Sequence, residues 1–182
     1  MKSCSFIGHR NTKETPKLLA ELKKIVIRLI TEENVKIFLF GSKSKFDDLC
    51  HSVLVDLQEK YCDIKLIYVR SHFPYINESY KDYLLQYYDD TIMPTKVINA
   101  GKASYVERNQ EIIDASDFCI FYYNLKYKPK LRKQSKTSII YYQPNSGTKL
   151  AYEYAKQKKK PIINLYKENF EIWNKQKLDL MI

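Results

Sequence analysis

Glycine is scarce in this chain, four residues in 182. That excludes glycine-dense phosphate loops: there is no G-x-G-x-x-G fingerprint and no Walker A spacing. Histidine is nearly as rare, with three residues, and His9, His51 and His72 form no Ser/His/Asp or metal-ligand pattern. The four cysteines, Cys4, Cys50, Cys62 and Cys119, contain no C-x-x-C pair. This excludes a disulfide framework, and Cys50-His51 has no further ligand at zinc spacing. No apolar stretch approaches the ~18–20 residues that span a bilayer. The apolar run in "MKSCSFIGHR" is too short for a secretory signal. The expectation is a soluble, cytoplasmic protein with no membrane partner, no metal and no cofactor.

What is present is positive charge. Thirty-one Lys and Arg against 21 Asp and Glu give a formal net charge of +10, and such an excess favours anionic partners. The densest basic runs are "KYKPKLRKQSK" (126–136) and "KQKKK" (156–160). The second ends an expected helix, where cations complement the dipole. The first lies in an expected loop and has no such explanation. Tyrosine is abundant, with 16 residues. Together with the many Lys, Ile and Asn, this is what an AT-rich coding sequence yields without any functional demand.

Short apolar runs alternate with amphipathic segments. "SCSFI" (3–7), "VKIFLF" (35–40), "IKLIYV" (64–69), "DFCIFYY" (117–123) and "PIINLY" (161–166) have the length and composition of buried strands. Thr15-Pro16 reads as an N-cap and first helical residue, followed by Leu18, Leu22, Ile25, Val26 and Leu29 at helical spacing. Phe46 to Leu57, "SYVERNQEIIDAS" (104–116, opened by the capping-box pair Ser104 and Glu107) and Ser146 to about Lys159 repeat the pattern. Residues 79–94 hold a short helix and strand, "TSIIYY" (137–142) is a possible extra edge strand, and the segment around Trp173 is expected as a short helix. The class is therefore α/β: a Rossmann-like, mostly parallel sheet flanked by helices, in a single domain. Its core covers about 1–166, with 167–182 packing on it.

Ligands of such sheets bind beyond the C-terminal ends of the strands. The loops there carry Gly8-His9-Arg10, then Gly41-Ser42 with Phe46-Asp47, then Arg108-Asn109, then Ser146-Gly147-Thr148-Lys149. Three of the four glycines thus fall at junctions on one rim. A helix start offers free N–H groups and a dipole to phosphate, and Lys149 adds charge. The structural alternative is an ordinary cap, with Ser146 capping and Thr148 solvated. Arg108 lies four residues before Ile112, on the inward helix face, where a guanidinium needs either a carboxylate such as Asp117 or an anionic ligand. His9 in a loop reads as solvated rather than catalytic.

Taken in order, "CSFIGHR", "FLFGSKSKFD", "YVERNQEIIDASDFCIFYY" and "SGTKLAYEYAKQKKKPIIN" resemble the SLOG superfamily of Rossmann-like domains. This superfamily includes DprA/SMF, LOG and YpsA-type proteins, and the resemblance is greatest to small stand-alone YpsA-like bacterial proteins. The resemblance implies a nucleotide or nucleotide-derived ligand at the glycine-loop rim, with Gly147-Thr148 at phosphate and Arg108 matching the LOG arginine. LOG phosphoribohydrolases carry Gly-Gly-x-Gly-Thr-x-x-Glu, with a catalytic glutamate three residues after the threonine. Here that residue is Ala151, and Glu153 lies on another face of the helix. The family also often shows two glycines where this chain has Gly41-Ser42.

Three functions stay open. The first is a sensor or sequestering module that holds a nucleotide without turnover. The second is a nucleoside monophosphate N-glycosidase, with Asp47 the one candidate acid. The third is single-stranded nucleic-acid binding by loop 126–136, with Tyr122, Tyr123 and Tyr127 as stacking platforms. A homo-oligomer is compatible with each.

Overall fold

The computed structural model describes residues 1–71, 78–94 and 104–166, together with the backbone of 171–173. The elements follow the alternation of apolar and amphipathic segments. Strand β1 (Lys2–Gly8) leads to helix α1 (Pro16–Thr31), β2 (Val35–Phe40), α2 (Lys45–Gln58) and β3 (Lys65–Val69). Next come α3 (Glu78–Leu84), β4 (Asp90–Ile92), α4 (Ser104–Asp114) and β5 (Phe118–Tyr122). Then follow β6 (Arg132–Lys133), β7 (Tyr141–Tyr142), α5 (Gly147–Gln157), β8 (Ile162–Asn164) and β9 (Glu171–Trp173).

The main sheet runs β4-β3-β2-β1-β5-β8-β9. Its first six strands are parallel, and β9 pairs antiparallel with β8. The segment around Trp173 is therefore a strand, not the expected helix. The outer edge of β8 would otherwise present unpaired N–H and C=O groups, and β9 pairs with them. Residues 174–182 lie outside the described ones. "TSIIYY" also departs from expectation. Tyr141–Tyr142 pairs with Arg132–Lys133 in a separate two-stranded ribbon, because β8 already occupies the free edge of β5.

Side chains alternate across the strands, and both faces are covered. Cys4 and Phe6 of β1, with Phe38 and Phe40 of β2, pack among Leu22, Leu29, Phe46 and Leu54 of α1 and α2. Ile7, Cys119 and Phe121 face Ile113, Tyr152 and Ala155 of α4 and α5. A sheet buried on both faces needs near-continuous apolar strands, which is why "VKIFLF" forms β2 in full. Cys4, Cys50 and Cys119 are buried in these cores, where burial pushes their thiols above the ordinary value.

Few glycines also means that other residues end helices. Asn34 and Lys159 take left-handed φ values of 57° and 55° just beyond α1 and α5. Glycine usually supplies that conformation at a helix end. Asn tolerates it by local hydrogen bonding, whereas Lys159 adopts it at a cost of about 1 kcal/mol.

The chain winds outward from β1 through β2, β3 and β4, then returns to the other side of β1 with β5 and β8. Reversal of strand order at β1/β5 opens a crevice at the C-terminal ends of the strands. The loops singled out in the sequence all border that end of the sheet.

Candidate functional site

The C-terminal rim consists of two linked halves. The first is built on β2, α2 and α4. Ser44 caps α2, its Oγ accepting from the Asp47 N–H at 3.1 Å. Asp47 is 1 % exposed. Its Oδ1 accepts from Ser44 Oγ at 2.9 Å and its Oδ2 from the Ser42 N–H at 2.9 Å. Burial raises its pKa to about 6, opposed by these hydrogen bonds and by the charge of Arg108.

Arg108 is 5 % exposed on the inner face of α4. Among the described residues its guanidinium hydrogen-bonds to Asn109 Oδ1, at 2.9 and 3.3 Å, and to no carboxylate. Asp47 and the Tyr68, Tyr80 and Tyr105 hydroxyls act on it through space, while desolvation lowers its pKa. The alternative partner Asp117 is engaged elsewhere, accepting from the Ser3 N–H at 2.8 Å. A guanidinium is always charged in practice. The guanidinium also lies over the Tyr105 ring, 5.6 Å from its centroid. Buried with an amide oxygen and an aromatic face but no carboxylate in hydrogen-bond contact among the described residues, it is suited to an anion.

Gly41 makes room for this arginine. A Cβ there would lie 2.9 Å from Arg108 Nε and 2.5 Å from Ile112 Cδ1. Gly8 is closed in the same way, since its Cβ would lie 2.5 Å from three atoms of Phe46. Phe46 is fully buried and stacks on Tyr122 with ring centroids 5.5 Å apart. Phe46, expected as a ligand contact, is thus a core residue. Gly8 and Gly41 are glycines because side chains of their own protein fill the space.

The second half is built on β1, β5 and α5. Ser146 caps α5, its Oγ accepting from the Lys149 N–H at 3.0 Å. The Gly147 and Thr148 N–H groups have no carbonyl of the helix four residues behind them, as at any helix start. A Cβ on Gly147 would meet nothing within 4 Å, so here the glycine leaves the backbone open to approach. Thr148 is not solvated. It is 7 % exposed and donates to the Gly8 carbonyl at 3.1 Å, tying α5 to the end of β1. Lys149 is engaged locally, with Nζ 3.1 Å from Asn145 Oδ1 and 3.6 Å from Glu153.

His9 is also buried rather than solvated. Its Nε2 accepts from the Asn124 N–H at 3.0 Å, and its ring lies 4.4 Å from Tyr127 and 5.6 Å from Tyr123. Burial lowers its pKa, and the bond from Asn124 ties the chain after β1 to the chain after β5. Arg10 is exposed, and its carbonyl accepts from the Lys45 N–H at 3.0 Å. The side chains of Arg10 and Lys149 are not drawn into the buried cluster.

The buried face of α5 runs through Thr148, Ala151, Tyr152 and Ala155. Ala151 is 3 % exposed, and Glu153 stands on the outer face beside Lys149. The buried face of α5 therefore carries no carboxylate. Among the described residues no three His, Cys, Asp or Glu side chains gather as a metal site, and no helix is long and apolar enough to cross a membrane.

The sequence reading missed a tyrosine-lined cavity of about 400 Å³ beside the first half of the rim. Tyr68, Tyr80, Tyr83, Tyr87 and Tyr88 line it, with Ser42 and Lys43 at its border with the β2 loop. The signal was present in "SYKDYLLQYY" (79–88), but composition alone absorbed it. The expected stacking platforms fare differently. Tyr123 is 3 % exposed and packs on Tyr152, and Tyr122 packs between Phe46 and Tyr166. Of the three, only Tyr127 is largely exposed.

Comparison with protein-family models gives no match for this chain, and comparison with curated proteins gives none either.

Proposed function

We propose that this protein binds a nucleotide or nucleotide-derived anion at the C-terminal rim of its sheet and holds it without turnover, as a sensor or sequestering module. The observation that carries the reading is Arg108: a buried guanidinium, hydrogen-bonded to Asn109, with no carboxylate in contact among the described residues. A phosphate would supply the bidentate partner that the guanidinium geometry suits. The open backbone at Gly147 and the start of α5 offer a second anion-binding element on the same rim. The SLOG-like order of motifs supports the same ligand class. The absence of turnover rests on Ala151, which stands where LOG enzymes place their glutamate.

The experiment is calorimetric titration of the purified chain with nucleoside monophosphates, with a parallel assay for released base. Binding without base release is the expected result. Arg108→Met should weaken binding about 100-fold, the range for losing a buried charge pair. Binding that is untouched by this change, or no binding at all, overturns the reading.

An N-glycosidase reading keeps one observation in its favour: Asp47, raised to about 6, has the pKa of a general acid. Both its oxygens are occupied, however, by the Ser42 N–H and Ser44 Oγ. Its position fits a helix-capping carboxylate better. Base release abolished by Asp47→Asn would reverse that judgement.

A further inference from the structure

We infer that the tyrosine cavity between α2 and α3 is a nucleobase pocket, so that the ligand at the rim is an aromatic-base nucleotide rather than a sugar phosphate. The inference rests on the anion reading of Arg108 and adds to it the identity of the other end of the ligand.

The cavity and the arginine share a wall. Tyr68 lines the cavity and donates from its hydroxyl to the Gly41 carbonyl at 3.4 Å. Gly41 is the residue across which Arg108 lies. Tyr68 and Tyr80, both lining residues, are also close enough to Arg108 to be coupled to it electrostatically. Ser42 borders the cavity and anchors Asp47 through its N–H. An anion at Arg108 therefore has the cavity at its side.

The lining suits a flat, polar-edged ring. Tyr83 lies 6.1 Å from Tyr80 and 5.3 Å from Tyr87. Tyr88 sits 5.1 Å from Tyr68 and 4.7 Å from His51. These rings give faces for stacking, and every base has a π-face. Polar groups stand among them. Lys43 Nζ is 4.8 Å from the Tyr80 centroid, and the Asp48 carboxylate lines the same space. One donates and the other accepts, as the ring nitrogens and exocyclic amine of a base require. The volume of about 400 Å³ lies within the range of small-ligand sites. Tyr83 and Tyr87 are 50 % and 52 % exposed, so part of each ring is open to a ligand.

The test compares adenosine and guanosine monophosphates with ribose 5-phosphate, which keeps the phosphate and lacks the base. Titrations use the full chain and the double variant Tyr83→Leu/Tyr87→Leu. Both tyrosines are half exposed, so the variant should fold, and its melting curve verifies this. The expected result is nucleotide affinity at least about tenfold above that of ribose 5-phosphate, reduced about tenfold or more in the double variant. Ribose 5-phosphate affinity should stay unchanged in that variant. Equal affinity for nucleotide and ribose 5-phosphate, or full nucleotide affinity in the double variant, overturns the pocket and leaves the Arg108 reading standing. No binding of any of the three overturns both.

Discussion

Gly8 ends a strand and Gly147 begins a helix on the same rim, and they answer opposite structural needs. The space beside Gly8 is filled by Phe46, with three atoms 2.5 Å from where a Cβ would stand, whereas the space beside Gly147 is empty to 4 Å. Gly41 belongs with Gly8, since Arg108 and Ile112 occupy its side. A glycine at a strand-to-helix junction can admit a neighbouring side chain or leave backbone open to a ligand, and the two cases look alike in sequence. Around Gly8 and Gly41 the rim is filled by side chains of the protein itself. Within it the buried Arg108 guanidinium has no carboxylate in hydrogen-bond contact among the described residues. The half around Gly147 is an open helix start whose nearby lysine is already paired with Glu153.

That contrast can be broken by substitution. Gly8→Val should destabilise the fold by about 3 kcal/mol or more, at the upper end of overpacking costs, because the Phe46 Cβ is fixed to the backbone of α2. Urea denaturation measures it. A loss of only a few tenths of a kcal/mol would mean that α2 can move away from β1.

The next effect is electrostatic. The carboxyl of Asp47 titrates near 6 when folded, above its ordinary value of 3.8. Between those values the folded state binds more protons than the unfolded chain, so the contribution of Asp47 falls as pH rises through the window. The full swing is about 3 kcal/mol. Asp47→Asn removes it. Measured against that variant, the wild type should lose relative stability between about pH 4 and pH 7. His9, whose pKa is lowered by burial, gives the opposite slope: its contribution is present above its unfolded value and lost as pH falls. It is common to both proteins and cancels. A flat difference would place Asp47 in a solvated setting.

Gly41→Ala should cost less, about 1–2 kcal/mol, because Ile112 Cδ1 and Arg108 Nε belong to side-chain regions that can shift. It should also displace the guanidinium and weaken nucleotide binding. The smallest effect on stability is expected for Gly147→Val. With open space around it, the change should stay within about 0.5 kcal/mol, the range of substitutions away from packed features, while a bulky side chain there obstructs anion approach. A large loss of stability would show that Gly147 is packed as Gly8 is.

Much of the fold was legible because each unit carried its own period. β2 matches "VKIFLF" residue for residue, and the Thr15-Pro16 start of α1 appears as written, with Thr15 Oγ1 accepting from the Leu18 N–H at 3.2 Å. Arg108 was legible because a charged residue on an apolar helix face is anomalous by itself. What could not be read was tertiary: which glycine faces a neighbour, that Thr148 reaches the Gly8 carbonyl 140 positions away, and that Asp117 is taken by Ser3. The tyrosine cavity was hidden for a related reason. Four of its five tyrosines stand together in "SYKDYLLQYY", but only folding brings them against Tyr68 of β3, Asp48 and His51 of α2 and the loop after β2. The strand at Glu171–Trp173 depends on an edge offered by β8, which no local pattern announces.

The central claim is that Arg108 is kept for an anion rather than for the fold. Arg108→Met tests it in one preparation, with melting followed alongside calorimetric titration of adenosine monophosphate. Replacing a buried charge by an apolar side chain of similar length is often neutral or stabilising. The account predicts an unchanged or higher melting temperature together with nucleotide affinity weakened about 100-fold. A protein that unfolds on this change, or that binds the nucleotide as tightly as before, would contradict it.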